Sequence, residues 1–445
     1  MGYMHRSVSG TVTTFTISMW TKLCGLNYID SLWGSGSGYG LFINSTRPIK
    51  MQGGSPVTST RLFRDTNGWY HVVYKCSGGS ATTYINGESV ITHSGVSISS
   101  DIAIGALNSS GGDSTKSSIY FADVIFVDGT AHNPTSFAET DSSTGEWKPK
   151  SYSGSYGTNG FKLEFKNSGA LGTDTSGNGN NLTVSGSNTQ MVSSPTNTFA
   201  TIDRLNGNPT LNDSSAGGVV DGLRYGNLEV NANAGAVGND NYMWSPSNMM
   251  VTKGKWYAEF RLTGAFSTTG DAAHLVGVGS GDYPYKADNR STAIGGFTTY
   301  WIDHPDDRIL VDGNVSNTAV TGGSKFVQND ILGVYLNCDT TIPQVTFTKN
   351  GAALSGASNS PYNVRRTGAY GDRDNAPIAF FTVIKYGTTS GTGWGKIQAN
   401  FGEPLYTVSS SNADANGHGS FEYSPQLGGV NYYALCTKNL NEFGG

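Results

Sequence analysis

The chain has 445 residues and a formal net charge of −5; 14% of its residues are charged and 11% are aromatic. This length exceeds one ordinary domain and predicts two or three, while the aromatic content excludes a disordered chain. The slightly acidic balance gives no general attraction to nucleic acid or to an anionic membrane, so neither is an expected partner.

The apolar stretches are short. The most apolar one, residues 376–384, has nine residues, whereas a membrane-spanning helix needs about 20. The first ten residues lack the apolar core of a signal peptide. The four cysteines, at positions 24, 76, 338 and 436, have no metal-ligand spacing. We therefore expect buried free thiols and no membrane insertion, in a chain made in a reducing compartment.

In chain order, the first predicted elements are β-strands. Residues 14–23 alternate apolar and polar side chains, and similar runs recur up to residue 165, each bounded by Gly, Ser or Asn. Such regular spacing is typical of a two-sheet antiparallel sandwich. A helical turn is expected only at 133–140, where Asn133 or Thr135 can cap it.

Alternation fades after this first series and then returns. The sequence predicts an all-β chain of two antiparallel, jelly-roll-like β-sandwich domains, with an irregular linker and a short C-terminal tail. In the tail, Tyr432, Tyr433 and Leu435 form an apolar cluster expected to dock on a domain. The predicted boundaries are 1–187 for the first domain, 188–225 for the linker, 226–408 for the second domain and 409–445 for the tail.

One pattern occurs twice. Residues 68–90 and residues 330–354 each contain an apolar strand, a polar break and an alternating strand that ends in Asn-Gly. Asn-Gly is typical of a type I′ turn, because both central positions of that turn need a positive φ. Each passage is therefore predicted to be an antiparallel hairpin within a sandwich.

The second half of the chain resembles SPRY (B30.2-like) domains. The similar segments occur in the family order: GKWYAEF (254–260), HLVGVGS (274–280), residues 328–354 and IQANFGEP (397–404). The first half resembles LamG/concanavalin A-like jelly rolls through TISMW (16–20), GWYHVVY (68–74), TTYINGE (82–88), IAIG (102–105) and YFADVIFVDG (120–129). The resemblance implies two-sheet sandwiches that bind partners through loops.

The whole arrangement also resembles structural proteins of tailed bacteriophages, particularly marine ones. The similarity is most specific at 124–165 and extends to YYALCTKNLNEFG (432–444). It implies a non-enzymatic protein of the virion surface, either a receptor-binding attachment fibre or a head decoration protein, made in the cytoplasm of a bacterial host. The implied partners are other virion proteins, copies of the chain and a host-surface glycan.

The sequence shows no pattern of catalytic residues. Glycoside hydrolysis needs two facing carboxylates, but Glu164, Glu229 and Glu259 each stand alone on a predicted strand. Alternation predicts that these acids face solvent. No Ser-His-Asp order or Gly-x-Ser-x-Gly motif occurs. A glycosidase remains the least favoured alternative, and a free lectin-like glycan-binding module is the main one.

No cofactor is predicted. Residues 174–181 begin like a calcium loop, but the position that needs a bidentate carboxylate is Ser185. A Gly/Asn turn is the preferred interpretation. The family resemblance leaves a structural calcium ion in the first domain open without locating it.

The predicted ligand site is a cluster of aromatic and polar residues in the second half. An aromatic platform with planar polar groups is a mixture that suits sugars. The alternative is that Tyr300 and Trp301 belong to a core strand and the acids solvate a turn. The candidate residues are Tyr300, Trp301, Asp303, His304, Asp306, Asp307 and Arg308, with Tyr283, Tyr285, Arg365, Arg366 and Tyr370 from neighbouring loops.

Self-association is the last expectation. Related chains open with a full strand, whereas only Met1 and Gly2 precede the position of Tyr3 here. A shortened first strand would leave an open sheet edge, which is normally paired or covered. We therefore expect that this edge or the 409–445 tail joins subunits in a homo-oligomer or lattice. The alternative is that the tail packs only on its own chain.

Overall fold

The chain folds into two compact units, Met1–Thr196 and Asn197–Gly445, in a computed structural model. Each unit is treated by itself. The structure describes residues 2–25, 29–36, 38–44, 46–108, 119–203, 210–213, 218–231, 242–263, 273–280, 297–302, 308–311, 314–319, 326–354, 361–364, 367–368, 371–372, 376–385 and 396–444.

The first unit consists of short strands with frequent glycine, serine and asparagine turns between them. They are β1 (Tyr3–Val12), β2 (Phe15–Leu23), β3 (Asp30–Ser35), β4 (Gly40–Ile43), β5 (Pro48–Gln52), β6 (Val57–Leu62), β7 (Tyr70–Ser77), β8 (Ser80–Ile85), β9 (Glu88–His93), β10 (Ile98–Ile104), β11 (Ile119–Asp128), β12 (Ala138–Thr140), β13 (Trp147–Pro149), β14 (Phe161–Leu163) and β15 (Thr183–Ser185).

Two antiparallel sheets form this sandwich. One has the order β15-β1-β10-β3-β4-β5-β6 and the other β14-β11-β2-β7-β8-β9. A single buried cluster draws side chains from both sheets. In its centre Trp33 of the first sheet meets Phe15 and Tyr74 of the second edge-on, with ring centroids 6.1 and 5.0 Å apart. Such aromatic packing stabilises the core beyond its buried area.

A long segment covers the outer face of the six-stranded sheet. Residues 129–160 contain the β12–β13 hairpin and a 3₁₀ turn at Pro134–Ser136. Phe137 packs there against Val73 and Val127, so both faces of the sheet are buried. The predicted turn is confirmed, but the expectation that it is the only helical segment was wrong, because Thr437–Phe443 also forms a helix. Asn133 precedes it, but the Asn133 side chain accepts a hydrogen bond from Lys75 Nζ at 2.8 Å instead of capping the turn.

The first strand is not shortened, and this expectation was wrong. β1 has ten residues and pairs with β10 along most of its length. On its other side β15 pairs with Tyr3–His5, and the Asn159 side chain accepts a hydrogen bond from Ser9 N at 2.8 Å. A strand and a loop side chain from residues 159–185 therefore cover the edge that the sequence predicted to be open.

The second unit is also built of strands. They are β16 (Thr210–Asp213), β17 (Gly218–Asp221), β18 (Leu223–Arg224), β19 (Glu229–Asn231), β20 (Tyr242–Pro246), β21 (Lys255–Thr263), β22 (Ala273–Ser280), β23 (Phe297–Ile302), β24 (Arg308–Val311), β25 (Asn314–Ala319), β26 (Ile331–Asn337), β27 (Gln344–Lys349), β28 (Ala352–Ala353), β29 (Tyr362–Asn363), β30 (Thr367–Gly368), β31 (Gly371–Asp372), β32 (Ile378–Lys385), β33 (Lys396–Asn400), β34 (Gln426–Leu427), β35 (Val430–Asn431) and β36 (Tyr433–Ala434), followed by α1 (Thr437–Phe443).

Two larger sheets dominate this unit. The nine-stranded sheet has the order β18-β19-β33-β21-β26-β27-β28, with β29 also on β27 and β36 also on β21. The six-stranded sheet has the order β20-β32-β22-β23-β24-β25. Phe260 and Phe380, one from each sheet, both pack on Phe401 with ring centroids 5.9 Å away. These contacts place the core between the two sheets.

The tail lies on the outer face of the nine-stranded sheet. β36 adds to β21 in parallel, and Tyr432 and Phe421 join a buried cluster with Tyr257 and Tyr335. Leu435 is also fully buried, so the predicted docking of this apolar cluster is confirmed. A β-bridge between Phe199 and Cys436 ties the start of the unit to its end. The tail therefore packs on its own chain, while contacts between subunits stay a prediction.

The two predicted Asn-Gly hairpins are confirmed. Asn86 and Gly87 join β8 to β9, and Asn350 and Gly351 join β27 to β28. The φ angles are 51° and 85° in the first turn and 49° and 75° in the second. Both central positions therefore have the positive φ that a type I′ turn requires.

Each turn asparagine also makes the same side-chain hydrogen bond. His71 N donates to Asn86 Oδ1 at 2.8 Å, and Ile331 N donates to Asn350 Oδ1 at 2.9 Å. In both hairpins the asparagine N–H returns a bond to the carbonyl of the same strand residue. Asn86 therefore fixes the end of the β7–β8 pair, and Asn350 fixes the end of the β26–β27 pair in the same way.

The predicted fold class is confirmed: the chain is all-β, with antiparallel sheets in both units. All four cysteines are free and buried, as expected. Within the ranges given above, no helix is long and apolar enough to cross a membrane.

Candidate functional site

The predicted ligand site lies mostly outside the described residues. The structure places the backbone of Tyr300 and Trp301 in β23, opposite Ile309 and Arg308 of β24. Nine further candidates lie outside the described ranges: Tyr283, Tyr285, Asp303, His304, Asp306, Asp307, Arg365, Arg366 and Tyr370. Two aromatic residues therefore lie within a paired strand and not in a loop, and the site itself stays a prediction.

A serine–histidine pair occurs in the first unit. His71 is fully buried, stacks on Trp20 at 4.8 Å, and lies 2.9 Å from Ser18 Oγ through Nε2. Trp147 Nε1 donates to His71 Nδ1 at 3.1 Å, so the ring proton is on Nε2 and the serine oxygen accepts it. Burial lowers the pKa of His71 to about 3.

This orientation is the reverse of what nucleophilic catalysis needs. A general base accepts the proton of the nucleophile and is oriented by a group that accepts its second N–H. Here Ser18 is the acceptor and the third group, Trp147, is a donor. The three side chains instead hold the β12–β13 hairpin on the sheet.

The calcium-like loop is organised by its own N–H groups. Asp174 Oδ1 accepts from Lys162 N and Ser176 N, and Oδ2 accepts from Asn180 N and Ser176 Oγ, at 2.8–2.9 Å. Burial would raise the pKa of Asp174, but these hydrogen bonds lower it. The carboxylate that would bind a cation is thus occupied by donors, as the Gly/Asn-turn interpretation requires.

Two of the three isolated acids do not face solvent, so that expectation was wrong for them. Glu259 is 0% and Glu229 is 4% exposed; tail N–H groups contact Glu259, and Gln398 Nε2 of the neighbouring strand donates to Glu229 Oε2 at 2.8 Å. Glu164 is partly exposed, and Lys162 and Lys166 contact it at 2.6 and 2.8 Å. These two lysines lower the pKa of Glu164.

Glu259 anchors the tail. Its Oε1 accepts from Tyr423 N at 2.8 Å and Tyr257 Oη at 3.0 Å. Its Oε2 accepts from Tyr406 Oη at 2.9 Å, and from Glu422 N and Asn400 Nδ2 at 3.1 Å. Burial raises the pKa of Glu259, while the two backbone donors from the tail and the tyrosine hydroxyls oppose that rise.

A second buried acid orders the end of the tail. Asp414 Oδ1 accepts from Asn416 N and His418 N, and Oδ2 accepts from Ala434 N at 2.9 Å and Asn439 Nδ2 at 2.7 Å. Because each oxygen has two donors, the turn at 414–418, strand β36 and helix α1 are held to one carboxylate.

The docked tail builds one wall of an open cleft in the second unit. The cleft has a volume of about 280 Å³. Tyr432 is nearly buried there, with its ring edge-on to Tyr335 at 5.2 Å, and Tyr335 Oη donates to Ser424 O at 2.9 Å. The lining residues are Asn337, Gln344 and Thr346 from the sheet, Pro361, and Leu427, Gly428 and Tyr432 from the tail.

Two side-chain amides lie next to each other at the sheet end of the cleft. Asn337 and Gln344 are cross-strand partners on β26 and β27. Asn337 Oδ1 accepts from Asp339 N at 3.0 Å, and Gln344 Nε2 donates to Asn363 Oδ1 at 3.3 Å. Among the described residues Asn337 Nδ2 and Gln344 Oε1 have no such partner. The cleft therefore presents a neutral donor beside a neutral acceptor.

Sequence reasoning did not identify this cleft. The apolar tail cluster with Tyr432 and the 330–354 hairpin were both recognised, but nothing in the sequence brings them together. Glu259 accepts hydrogen bonds from the tail at Glu422 N and Tyr423 N, but alternation alone assigned this side chain to solvent. In the described parts of the chain, no group of three or more His, Cys, Asp or Glu side chains is arranged to hold a metal ion.

Part of the first unit is similar in sequence to a known family. Residues 4–124 match the family described as the Concanavalin A-like lectin/glucanases superfamily. The N-terminal region is therefore similar to this family, in agreement with its two-sheet sandwich. No curated protein has a significant match to the chain.

Solved structures with a similar fold cover parts of the chain. The SPRY domain of human HERC1 is 16% identical, covers 44% of this chain and 96% of its own length, and has a TM-score of 0.27. A Bacteroides ovatus protein, provisionally described as carbohydrate-binding, is 16% identical, covers 42% of this chain and 56% of its own, and has a TM-score of 0.30. At these TM-scores the similarities carry no functional argument.

Proposed function

We propose that the chain is a non-enzymatic adhesion protein that binds a carbohydrate. The observation that carries the proposal is the neutral cleft of the second unit, where two amides and the Thr346 hydroxyl lie beside Tyr432 and Leu427. Sugar-binding sites combine apolar surface with planar hydrogen-bonding groups that fix orientation. The concanavalin A-like region at 4–124 supports this function class.

The hydrogen bonds and ion pairs of the candidate acids and bases support the proposal that the protein is not an enzyme. Glu259 is enclosed and accepts five hydrogen bonds. Glu164 is paired with two lysines, and His71 donates to its serine. Turnover of a polysaccharide that is lost on substitution of one Glu would instead establish a glycosidase.

A glycan array with the full-length protein tests the proposal. We expect binding to a defined set of glycans, and we expect it to persist in a chelator because no cofactor is proposed. Loss of binding in the chelator, with recovery in calcium, would establish a structural calcium ion. Absence of binding to every glycan on a broad array would contradict the proposal.

We further propose that the protein acts on the surface of a tailed-bacteriophage virion, after synthesis in the host cytoplasm. The support is the resemblance at 124–165 and 432–444, segments that are both packed parts of the fold here. Attachment to a host-surface glycan through an attachment fibre or a head decoration protein fits this setting. The loop candidates at 283–370 belong to the same proposal as a second contact region.

Mass spectrometry of purified virions distinguishes a virion-surface protein from a free lectin. Detection in the particle at structural copy number is expected, together with contacts to copies of the chain and to other virion proteins. Glycan binding by a protein that is absent from particles would favour the free lectin-like module. Light scattering of the full-length protein tests self-association, and a monomer at virion-like concentrations would contradict it.

A further inference from the structure

We propose that the cleft of the second unit recognises an N-acetylated, uncharged hexosamine through its acetamido group. This inference rests on the proposed carbohydrate function and adds the ligand class and the residues that select it. It concerns the face of the sheet on which the tail packs and none of the loop residues predicted from the sequence.

The hydrogen-bonding pattern is the first step. Asn337 and Gln344 are adjacent across two strands, and each has one amide atom engaged by a neighbour, Asp339 N and Asn363 Oδ1 respectively. The atoms left to face a ligand are the Asn337 Nδ2 donor and the Gln344 Oε1 acceptor. A secondary amide carries the complementary pair, because its carbonyl accepts and its N–H donates.

The absence of charge is the second step. None of the seven lining residues is ionisable in the physiological range. Two charged residues neighbour Asn337, namely Asp339 along the chain and Lys255 on the paired strand β21, and they contact each other at 2.7 Å. Carboxylate and sulfate groups are normally bound by Arg or Lys in charge-assisted hydrogen bonds. An acidic sugar would therefore lose hydration in this cleft without gaining a cationic partner.

The apolar surface and the volume of the cleft further restrict the class of ligand. Leu427 and Pro361 line the cleft and offer surface for the acetyl methyl group, and Tyr432 offers an aromatic edge. A volume of about 280 Å³ lies just below the usual range of small-molecule sites, which is roughly 300–1,000 Å³. One sugar ring with its acetamido group suits this space better than a buried oligosaccharide.

Titration calorimetry and saturation-transfer NMR of the full-length protein provide the test. The probes are N-acetylglucosamine, N-acetylgalactosamine, glucose, galactose, N-acetylneuraminic acid and N-methylacetamide. We expect an N-acetylhexosamine to bind about tenfold or more tightly than its parent hexose, since a lost amide leaves two groups of the protein unpaired. N-acetylneuraminic acid and N-methylacetamide should bind more weakly than the N-acetylhexosamine.

The decisive variant is Asn337→Asp, which replaces the Nδ2 donor that is left for a ligand with an acceptor and keeps the size of the side chain. We expect binding to fall at least tenfold. Asn329→Asp is the matched control, because Asn329 is exposed at the far end of β26 and its Oδ1 already accepts from Arg261. Leu427→Ala is a second variant, which shortens the apolar wall in a two-residue strand of the tail hairpin.

The outcomes distinguish this inference from the proposed function. Glycan binding that survives both Asn337→Asp and Leu427→Ala would overturn the cleft as the site and leave carbohydrate adhesion standing. Equal binding of hexoses and N-acetylhexosamines would overturn the amide recognition alone. Equal binding of N-methylacetamide and the sugar would show that the cleft selects a peptide-like amide and not a hexosamine.

Discussion

A single asparagine completes each of the two Asn-Gly hairpins, and it does so through both its backbone and its side chain. Asn350 has a φ of 49°, and its Oδ1 accepts the N–H of Ile331. Asparagine tolerates this left-handed conformation better than most residues, and glycine adopts it freely. The two contributions can therefore be separated by substitution.

Asn350→Gly should remove only the side-chain hydrogen bonds, in which Oδ1 accepts from Ile331 N and Nδ2 donates to Asp330 Oδ1, whereas Asn350→Ala should also strain the turn. We expect a loss of about 1 kcal/mol for glycine and about 2 kcal/mol for alanine in the free energy of local unfolding. Hydrogen exchange of the Ile331 amide, followed by mass spectrometry or NMR, measures this directly. Unchanged protection of Ile331 in both variants would mean that Asn350 Oδ1 contributes nothing.

His71 predicts how stability depends on pH in the first unit. Its pKa is about 3 in the folded state and has an ordinary value of 6.5 in the unfolded state, so between these values only the unfolded chain is protonated. The stabilisation is complete above pH 6.5 and decreases as the pH falls, by about 1.4 kcal/mol per unit until about pH 3.

Thermal unfolding between pH 7 and pH 4 checks this prediction. The wild-type first unit should lose stability steadily on acidification. His71→Gln should be less stable at pH 7, but the part of the slope due to this imidazole should vanish. An NMR signal of the His71 ring that titrates near pH 6.5 in the folded protein would contradict the assignment.

At the scale of elements, the tail depends on a buried carboxylate that lies far from it in sequence. Glu259→Gln would replace one acceptor oxygen by an NH₂ group that faces the N–H of Glu422 or Tyr423. The cost of leaving such buried donors unpaired is about 1–3 kcal/mol. The tail should then detach more often while the sheet keeps its own hydrogen bonds.

Hydrogen exchange over residues 420–436 measures this detachment. We expect faster exchange in Glu259→Gln than in the wild type, and no change in Glu442→Gln. Glu442 is exposed on α1, and glutamine keeps the oxygen that accepts from Asn416. Equal exchange in the two variants would show that Glu259 does not hold the tail.

These elements also show how far the sequence predicts the structure. The strands, the two hairpins and the docking of Leu435 follow from local patterns, because alternation and Asn-Gly act over a few residues. The burial of Glu259 does not follow, since its tail partners lie more than 160 residues away. The cleft between Gln344 and Leu427 was missed for the same reason.

The site of the first unit illustrates a second limit. Ser18, His71 and Trp147 come from three separate segments. Whether His71 can act as a base toward Ser18 depends on which ring nitrogen carries the proton. Sequence spacing carries no information on that. The predicted cluster around Tyr300 rests on composition, and the described backbone adds only that Tyr300 and Trp301 occupy β23.

At the scale of the whole molecule, two separate cores predict two unfolding transitions. The cluster around Trp33 belongs to the first unit, and the contacts of Phe260 and Phe380 with Phe401 belong to the second. Multidomain chains commonly depart from two-state behaviour. In calorimetry, His71→Gln should lower one transition and Glu259→Gln the other. A single transition that both variants lower would show that the units unfold together.

The position of the tail has a consequence for biosynthesis. Domains generally fold as units, N-terminal first, while the chain is still being made. The last described strand of the first unit ends at residue 185, so this unit can fold early. The second cannot finish until Ala434 and Cys436, which pair with Tyr257 and Phe199, have left the ribosome. A nascent chain therefore carries an uncovered aromatic sheet face until residues 421–436 have been made, and chaperones can bind there during that interval.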